Sequence, residues 1–157
     1  METLWASDAR HGCDARAKGC PACQAAAVVL PVRVQSVAVE VRCVEPLTMG
    51  EERYYAAEIV LKSDFVNGRV GLQVSLEDLD EWERCLDALQ AEEGAEWPAG
   101  GRSAWLDVVP EDPVEVTVHD SPSTQIAVCV PIDVASDWLE ENRLRLDRVR
   151  KAVAVSP

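Results

Sequence analysis

Apolar and polar residues alternate along residues 56–75, which show the clearest local pattern in the chain. Asn67-Gly68 interrupts the alternation, and this dipeptide tolerates the positive φ angles of a two-residue hairpin turn. Such a turn places Phe65 opposite Val70 and predicts a β-hairpin with one apolar and one polar face. The apolar face is expected to contain Ile59, Leu61, Phe65, Val70, Leu72 and Val74.

A helical period replaces the alternation after residue 75. Ser75 and Asp78 stand three positions apart, as in a capping box that begins a helix, and Gly94 is a typical residue to follow a helix end. The residues that recur at three- and four-residue steps are Leu79, Trp82, Leu86 and Leu89. We therefore expect an amphipathic helix that runs to about Glu93 and buries this stripe.

The second half of the chain repeats this order of elements. Alternating residues at 114–118 and 126–130 flank a turn at 120–123, which predicts a second hairpin. Ser136 or Asp133 is expected to cap a closing helix, in which acidic residues precede basic ones as the helix dipole favours. Its core-facing residues are expected to be Trp138, Leu139, Leu146, Val149 and Val153.

Two further strands complete the predicted fold. Residues 32–44 alternate as expected for a strand, and residues 104–109 are a weaker candidate. The order is then βββα-βββα, an α+β fold with a mostly antiparallel sheet built from two βββα units and two helices packed on one face. A chain of 157 residues suits one core, so we expect a single domain at 32–157 after an N-terminal extension at 1–31.

The predicted domain carries most of the negative charge. The formal net charge of the chain is -13, and residues 45–157 hold 24 acidic against 10 basic residues. Charge of this sign repels nucleic acid and anionic membranes, and it accelerates encounter with a basic protein partner. Solubility alone is the alternative explanation.

Residues 77–96 are strongly acidic, with nine acidic residues and one basic residue, Arg84. Trp97 and Trp105 flank the glycine-rich loop that follows, where exposed indoles would anchor a protein contact. Packing of that loop onto the domain is the alternative explanation. The candidate partner-binding residues are Glu77, Asp80, Glu81, Glu83, Asp87, Trp97 and Trp105.

The N-terminal extension contains a cluster with the character of a metal site. The turn Cys20-Pro-Ala-Cys23 brings two thiolates together, and His11 and Cys13 would complete a tetrahedral zinc site. The candidate metal ligands are therefore His11, Cys13, Cys20 and Cys23. A flexible or loosely docked tail is the alternative, so we expect either no cofactor or one structural zinc ion.

Catalytic motifs are missing from the sequence: it has no phosphate loop, dinucleotide fingerprint, nucleophile elbow or helical zinc-protease pair. His119 beside Asp120 would suit base catalysis, but a histidine exposed at a strand end explains the pair without chemistry. We therefore assign no catalytic residue and favour a non-enzymatic role.

The sequence also indicates a cytoplasmic protein. Its longest apolar run, around residues 25–31, is far shorter than the roughly 20 residues that span a bilayer. Charged residues occupy the N-terminus, where a secretory signal requires an apolar run. The six cysteines are accordingly expected to be reduced thiols.

Five segments carry a family resemblance. They are Ser63-Asp64-Phe65-Val66-Asn67-Gly68, residues 76–84, Trp97-Pro98 with Gly100-Gly101-Arg102-Ser103, Val116-Thr117-Val118-His119-Asp120, and Leu146-Asp147-Arg148-Val149-Arg150. In these segments the sequence resembles a family of small, acidic, uncharacterised proteins from actinobacteria, over residues 32–152. The resemblance implies a shared fold and assigns no catalytic residue.

Two functions are consistent with these patterns. The first is a non-enzymatic acidic interaction protein that binds a basic protein surface, with a regulatory role or one similar to immunity proteins that neutralise toxins. The alternative is a zinc-binding or thiol-based regulatory protein that uses the N-terminal His/Cys cluster.

Overall fold

The computed structural model describes residues 24–31, 35–42, 46–99, 104–121 and 123–155. Within these ranges the chain forms nine strands and two helices. In order they are β1 (Gln24–Pro31), β2 (Ser36–Arg42), β3 (Leu47–Met49), β4 (Glu52–Lys62), β5 (Asn67–Ser75), α1 (Leu76–Gln90), β6 (Ala95–Trp97), β7 (Trp105–Val109), β8 (Val114–Asp120), β9 (Ile126–Ile132) and α2 (Trp138–Val155).

The strands belong to two sheets in which every pairing is antiparallel. In the first sheet β5 borders one edge of the long β4, β2 and β3 border its other edge, and β1 borders β2. The second sheet follows chain order from β6 to β9. The α+β prediction is confirmed. The described strands differ from it in number and arrangement, since five precede α1, four lie between the helices, and they form two sheets instead of one.

The first predicted hairpin is formed by β4 and β5, but with a different turn. Residues 63–66 form the loop, and Ile59 lies opposite Val70. Phe65, which was predicted at that place, is 95% exposed in the loop. The prediction of a two-residue turn at Asn67-Gly68 is therefore wrong, because this dipeptide begins β5.

Ser63 explains the different turn. Its hydroxyl oxygen accepts hydrogen bonds from the backbone N–H of Val66 at 2.7 Å and of Phe65 at 3.2 Å. Local side-chain bonds of this kind stabilise a turn independently of the hairpin signal. The pairing register moves by an even number of residues, so the side chains that remain paired keep their faces, and Leu72 and Val74 are buried as predicted.

Part of the predicted N-terminal extension belongs to the first sheet. Residues 24–31 form β1, which pairs along its length with β2. The strand predicted at 32–44 corresponds to β2, whose described residues are Ser36–Arg42.

One cluster of buried side chains joins both sheets and both helices. Trp82 lies at its centre from α1, and Leu146 and Val149 contribute from α2, as predicted. Tyr55 ties the first sheet to the end of α2, because its hydroxyl donates a hydrogen bond to the carbonyl oxygen of Val153 at 3.2 Å. Each large side chain buried in this way contributes about 1.5–3 kcal/mol to folding.

Neither helix within the described ranges has the length and apolar character needed to cross a membrane.

Candidate functional site

The position of α1 is set at its first turn. Ser75 ends β5 and is the N-cap of the helix: its hydroxyl accepts from the N–H of Asp78 at 3.1 Å, and the Asp78 carboxylate accepts from the N–H of Ser75 at 2.8 Å. A cap of this type stabilises a helix by about 1 kcal/mol. Asp78 is buried by this role, so its charge is not part of the protein surface.

A ladder of ion pairs connects the outer side of α1 with α2. Asp80 contacts Arg150 at 2.6 Å and Asp87 contacts Arg143 at 2.9 Å, and Glu83 also contacts Arg150, at 2.9 Å. Seven residues, about two turns of helix, separate the two rungs on each helix, and their order is reversed. The two helices are therefore antiparallel neighbours.

The arginines of this ladder lie beneath the carboxylates. The side chains of Asp80 and Asp87 are 65% and 70% exposed, whereas Arg150 and Arg143 are 26% and 30% exposed. Desolvation lowers the pKa of Arg150, but the hydrogen bonds and charges of Glu83 and Asp80 outweigh it and leave the pKa above its usual value. Both guanidinium groups therefore compensate much of the charge that the sequence places on α1.

Few of the predicted helix acids remain without a partner. Glu81 is half-buried, and its carboxylate accepts a hydrogen bond from the N–H of Ala99 at 2.9 Å. Glu77 is exposed and forms no ion pair with any described residue. We call the exposed carboxylates of Glu77, Asp80, Glu83 and Asp87 the acidic helix surface.

The end of α1 adds negative charge where a helix disfavours it. The last turn contains no basic residue, and Glu92 and Glu93 follow directly, although the carbonyl end of a helix dipole favours cations. The chain ends the helix with hydrogen bonds from Glu92 N to Leu89 O and from Glu93 N to Ala88 O, at 3.1 and 2.9 Å. Glu92 takes the left-handed conformation, with φ 61°, a position that favours glycine. The predicted extension of the helix to Glu93 is therefore too long.

Trp97 is not a surface residue. It is fully buried, its indole N–H donates to the carbonyl oxygen of Asp78 at 2.6 Å, and its ring meets Trp82 edge to face at 5.6 Å between centroids. This follows from the register of β6, which places Trp97 opposite Leu106 on the inner face of the second sheet. Trp97 is therefore not the exposed indole that was expected from the sequence.

Trp105 is half-buried on the outer face of the same sheet. It lies directly opposite His119, and the two rings are stacked with 3.7 Å between centroids and an angle of 3°. They line an open pocket of about 350 Å³. The pocket is lined by Trp105, His119, Ser121, Gln125, Ile126 and Ala127.

Asp120 does not orient His119. Its carboxylate accepts a hydrogen bond from the Thr124 hydroxyl at 2.7 Å, and its carbonyl oxygen accepts from the N–H of Gln125 at 2.9 Å. Consecutive side chains of a strand also point to opposite faces. Asp120 therefore shapes the loop beside the pocket, and the two residues do not form a catalytic pair.

The outer face of the second sheet is an acidic surface that the sequence patterns did not reveal. Its outward positions are Glu96, Trp105, Asp107, Val109, Glu115, Thr117, His119, Ala127, Cys129 and Pro131, which alternate with buried residues. We call these ten residues the open sheet face. It contains three carboxylates and neither lysine nor arginine, and its carboxylates form no ion pair within the described part of the chain.

The outer face of the first sheet is different, because its charges compensate one another. Arg69 contacts Glu58 at 2.9 Å and Glu40 at 3.3 Å, and Arg42 contacts Glu58 at 2.9 Å. The hydrogen bond with Glu58 and the charge of Glu40 raise the pKa of Arg69 above its usual value. This balanced network offers no excess of either sign.

The predicted metal ligands His11, Cys13, Cys20 and Cys23 lie outside the described residues. In the ranges that are described, histidine, cysteine, aspartate and glutamate form no group of three that could hold a metal ion. Burial raises the pKa of the Cys85 thiol to about 11, with a further contribution from Glu81. This thiol is therefore protonated at neutral pH and is a poor nucleophile or metal ligand.

Comparison with known proteins gives a family and no function. No curated protein and no solved structure matches the chain. A family model described as a family of unknown function (DUF5959) matches residues 28–154, which confirms the resemblance to an uncharacterised family predicted over 32–152 and extends it into β1. The chain therefore belongs to this family of unknown function.

Proposed function

We propose that this protein is a non-enzymatic binding protein that engages a basic surface on a protein partner. The observation that supports this most is that negative charges stand where they reduce stability. Glu92 and Glu93 follow the carbonyl end of α1, and Glu96 lies directly opposite Asp107. Like charges in such positions are unfavourable by a few tenths of a kcal/mol to about 1 kcal/mol each.

These positions are close together along the chain and lie between the two acidic surfaces. Glu92 and Glu93 follow the helix that carries the acidic helix surface, and Glu96 belongs to the open sheet face three residues after Glu93. Residues that lower stability are retained where function needs them. A cationic partner would compensate both the helix end and the opposed carboxylates.

The pocket supports binding more than catalysis. It is open, and His119 is the one titratable group among its described lining residues. A general base is normally oriented by a second group, and the neighbouring Asp120 carboxylate is occupied by Thr124. Stacked, half-exposed aromatic rings are instead typical of contact residues in protein interfaces.

The proposed partner is a protein because the acidic field repels nucleic acid and anionic lipid. We propose that the encounter takes place in the cytoplasm. Small acidic domains that neutralise toxins are an analogy for such a role, and a regulatory protein would use the same electrostatics.

Salt dependence tests the proposal directly. Protein from the native host that is retained on the immobilised chain is expected to be basic and to elute as salt rises from about 0.1 M towards about 1 M, where the screening length falls from about 10 Å to about 3 Å. The isolated partner's dissociation constant should then be measured against salt. A partner that remains bound regardless of salt would contradict the proposal.

Two variants with the same change in net charge sharpen the test. The first combines Glu92→Gln, Glu93→Gln and Glu96→Gln, and it should weaken binding of the isolated partner strongly. The control combines Glu51→Gln, Asp64→Asn and Asp147→Asn, three exposed positions elsewhere. Equal losses in both variants would show a general effect of net charge and would overturn the assignment to this region.

A further inference from the structure

We infer that the open sheet face docks an extended, arginine-bearing segment of the partner. One guanidinium group would occupy the pocket at Trp105 and His119, and a second would lie between Glu96 and Asp107. This inference rests on the proposed function, since it names the part of the protein that holds the basic partner.

Within the described part of the chain, several positions of this face are exposed to solvent. Glu96, Glu115 and Cys129 are exposed on it, whereas the residues that alternate with them, such as Val108 and Val116, are completely buried beneath. The rows across β6 to β9 therefore form a flat, accessible surface whose backbone is held by pairing on both sides of β7 and β8. Such a surface can receive a partner without rearrangement.

The carboxylates of the open sheet face are complementary in charge to an arginine-bearing segment. Glu96 and Asp107 are direct cross-strand neighbours, so their Cβ atoms are about 4.5–5.5 Å apart. Glu115 is placed diagonally to Asp107 across β7 and β8, at about 7–8 Å. A planar guanidinium group can bridge two carboxylates with paired hydrogen bonds, which an ammonium group cannot do with the same geometry.

The stacked rings of Trp105 and His119 provide a position for one guanidinium group. Trp105 and His119 are parallel and in contact, so both rings are already ordered before a partner arrives, and little side-chain freedom is lost on binding. Guanidinium groups stack on aromatic rings. Gln125 and Ser121 line the same pocket, and Ile126 adds an apolar wall that is 58% exposed.

The distance between the two positions along β7 matches the two-residue repeat of an extended peptide. The row of Trp105 and His119 and the row of Glu96 and Asp107 are two residues apart along β7. This corresponds to about 7 Å along the strand, with a sideways offset of about 4.8 Å, one strand spacing, between the two positions. Alternate side chains of an extended peptide have the same separation. A segment with arginine at alternate positions would therefore place neighbouring guanidinium groups over the pocket and over the opposed carboxylates.

The test uses a short dye-labelled peptide with arginine at alternate positions, and the full chain at neutral pH and low salt. Its control is the same peptide with citrulline in place of arginine, which keeps the shape and removes the charge. Fluorescence anisotropy should show binding of the arginine peptide only. Trp105→Leu and Asp107→Asn should each weaken this binding about tenfold, as expected for the loss of one cation–π contact and of one charge-assisted hydrogen bond, respectively.

Two further variants separate the possible outcomes. Asp147→Asn removes one exposed charge from α2 and should leave the affinity nearly unchanged, provided that circular dichroism shows all variants to be folded. If Glu77→Gln weakens binding while Trp105→Leu and Asp107→Asn do not, the partner is basic but docks on the helix, and the inference is wrong. If the wild type binds both peptides equally, the inference and the proposed function both fail.

Discussion

The acidic helix surface and the open sheet face carry the same kind of charge but differ in what lies next to it. Behind the carboxylates of Asp80 and Asp87 stand Arg150 and Arg143 from a neighbouring helix. Asp107 lies instead beside the carboxylate of Glu96, and no arginine of the described residues forms an ion pair with it. A count of acidic residues along the chain therefore overestimates the field at the helix and underestimates the field at the sheet.

This difference relates charge to stability. Ion pairs on the helix hold α1 against α2, so those carboxylates serve the fold. On the sheet, and at the end of α1, the carboxylates oppose the fold slightly, and we propose that they serve a partner. Each prediction below changes one side of this comparison.

The largest effect is expected from the two tryptophans that were both predicted at the surface. Trp97→Ala removes a fully buried side chain and its hydrogen bond to Asp78, and it should lower the free energy of unfolding by about 3–5 kcal/mol. Trp105→Ala changes a half-exposed ring and should cost about 1 kcal/mol. Urea denaturation followed by circular dichroism measures both. Similar losses would mean that Trp105 is also a core residue and that the open sheet face is misassigned.

The next effect is a gain of stability at the end of α1. Glu92→Gly relieves a left-handed conformation and removes a negative charge from the carbonyl end of the helix, and it should stabilise the protein by about 1 kcal/mol. The same variant should bind a basic partner more weakly. Glu93→Gly is the control, since it removes the same charge at a position without a positive φ and should not stabilise. A loss of stability in Glu92→Gly would contradict the account.

The smallest effect concerns the ion-pair ladder. Arg150→Gln leaves Asp80 and Glu83 without their partner and should lower the free energy of unfolding by about 0.5–1 kcal/mol. Arg148→Gln makes the same change of charge at an exposed position of α2 and should have no measurable effect on unfolding. Thermal denaturation at low and high salt compares the stabilities of the two variants. Equal stabilities would mean that the arginines do not compensate the helix acids.

Much of the fold could be predicted because hydrophobic periodicity determines element type. The α1 stripe, the Ser75 cap and the alternating valines of β8 follow from local sequence. The loop at 63–66 could not be predicted in this way. Hydrogen bonds to the hydroxyl of Ser63 form a turn there, although Asn67-Gly68 favours a turn four residues later. Local patterns carry no information about such competition between two possible turns.

The candidate site was less predictable because it depends on contacts between distant residues. Neutralisation of Asp80 requires Arg150, seventy positions away in the chain, and burial of Trp97 requires the register of β6 with β7. The stack of Trp105 on His119 likewise appears only when β7 and β8 are aligned. Alternation at 105–109 and 115–119 was the available signal, since it separates outward acids and aromatics from inward valines.

Amide chemical-shift mapping by NMR, with the alternating arginine peptide as probe, tests the central claim most directly. The account predicts that the peptide shifts the signals of Glu96, Asp107, His119 and the Trp105 indole, and leaves those of Asp80 and Asp87 nearly unchanged. Shifts confined to α1, with an unaffected second sheet, would contradict it.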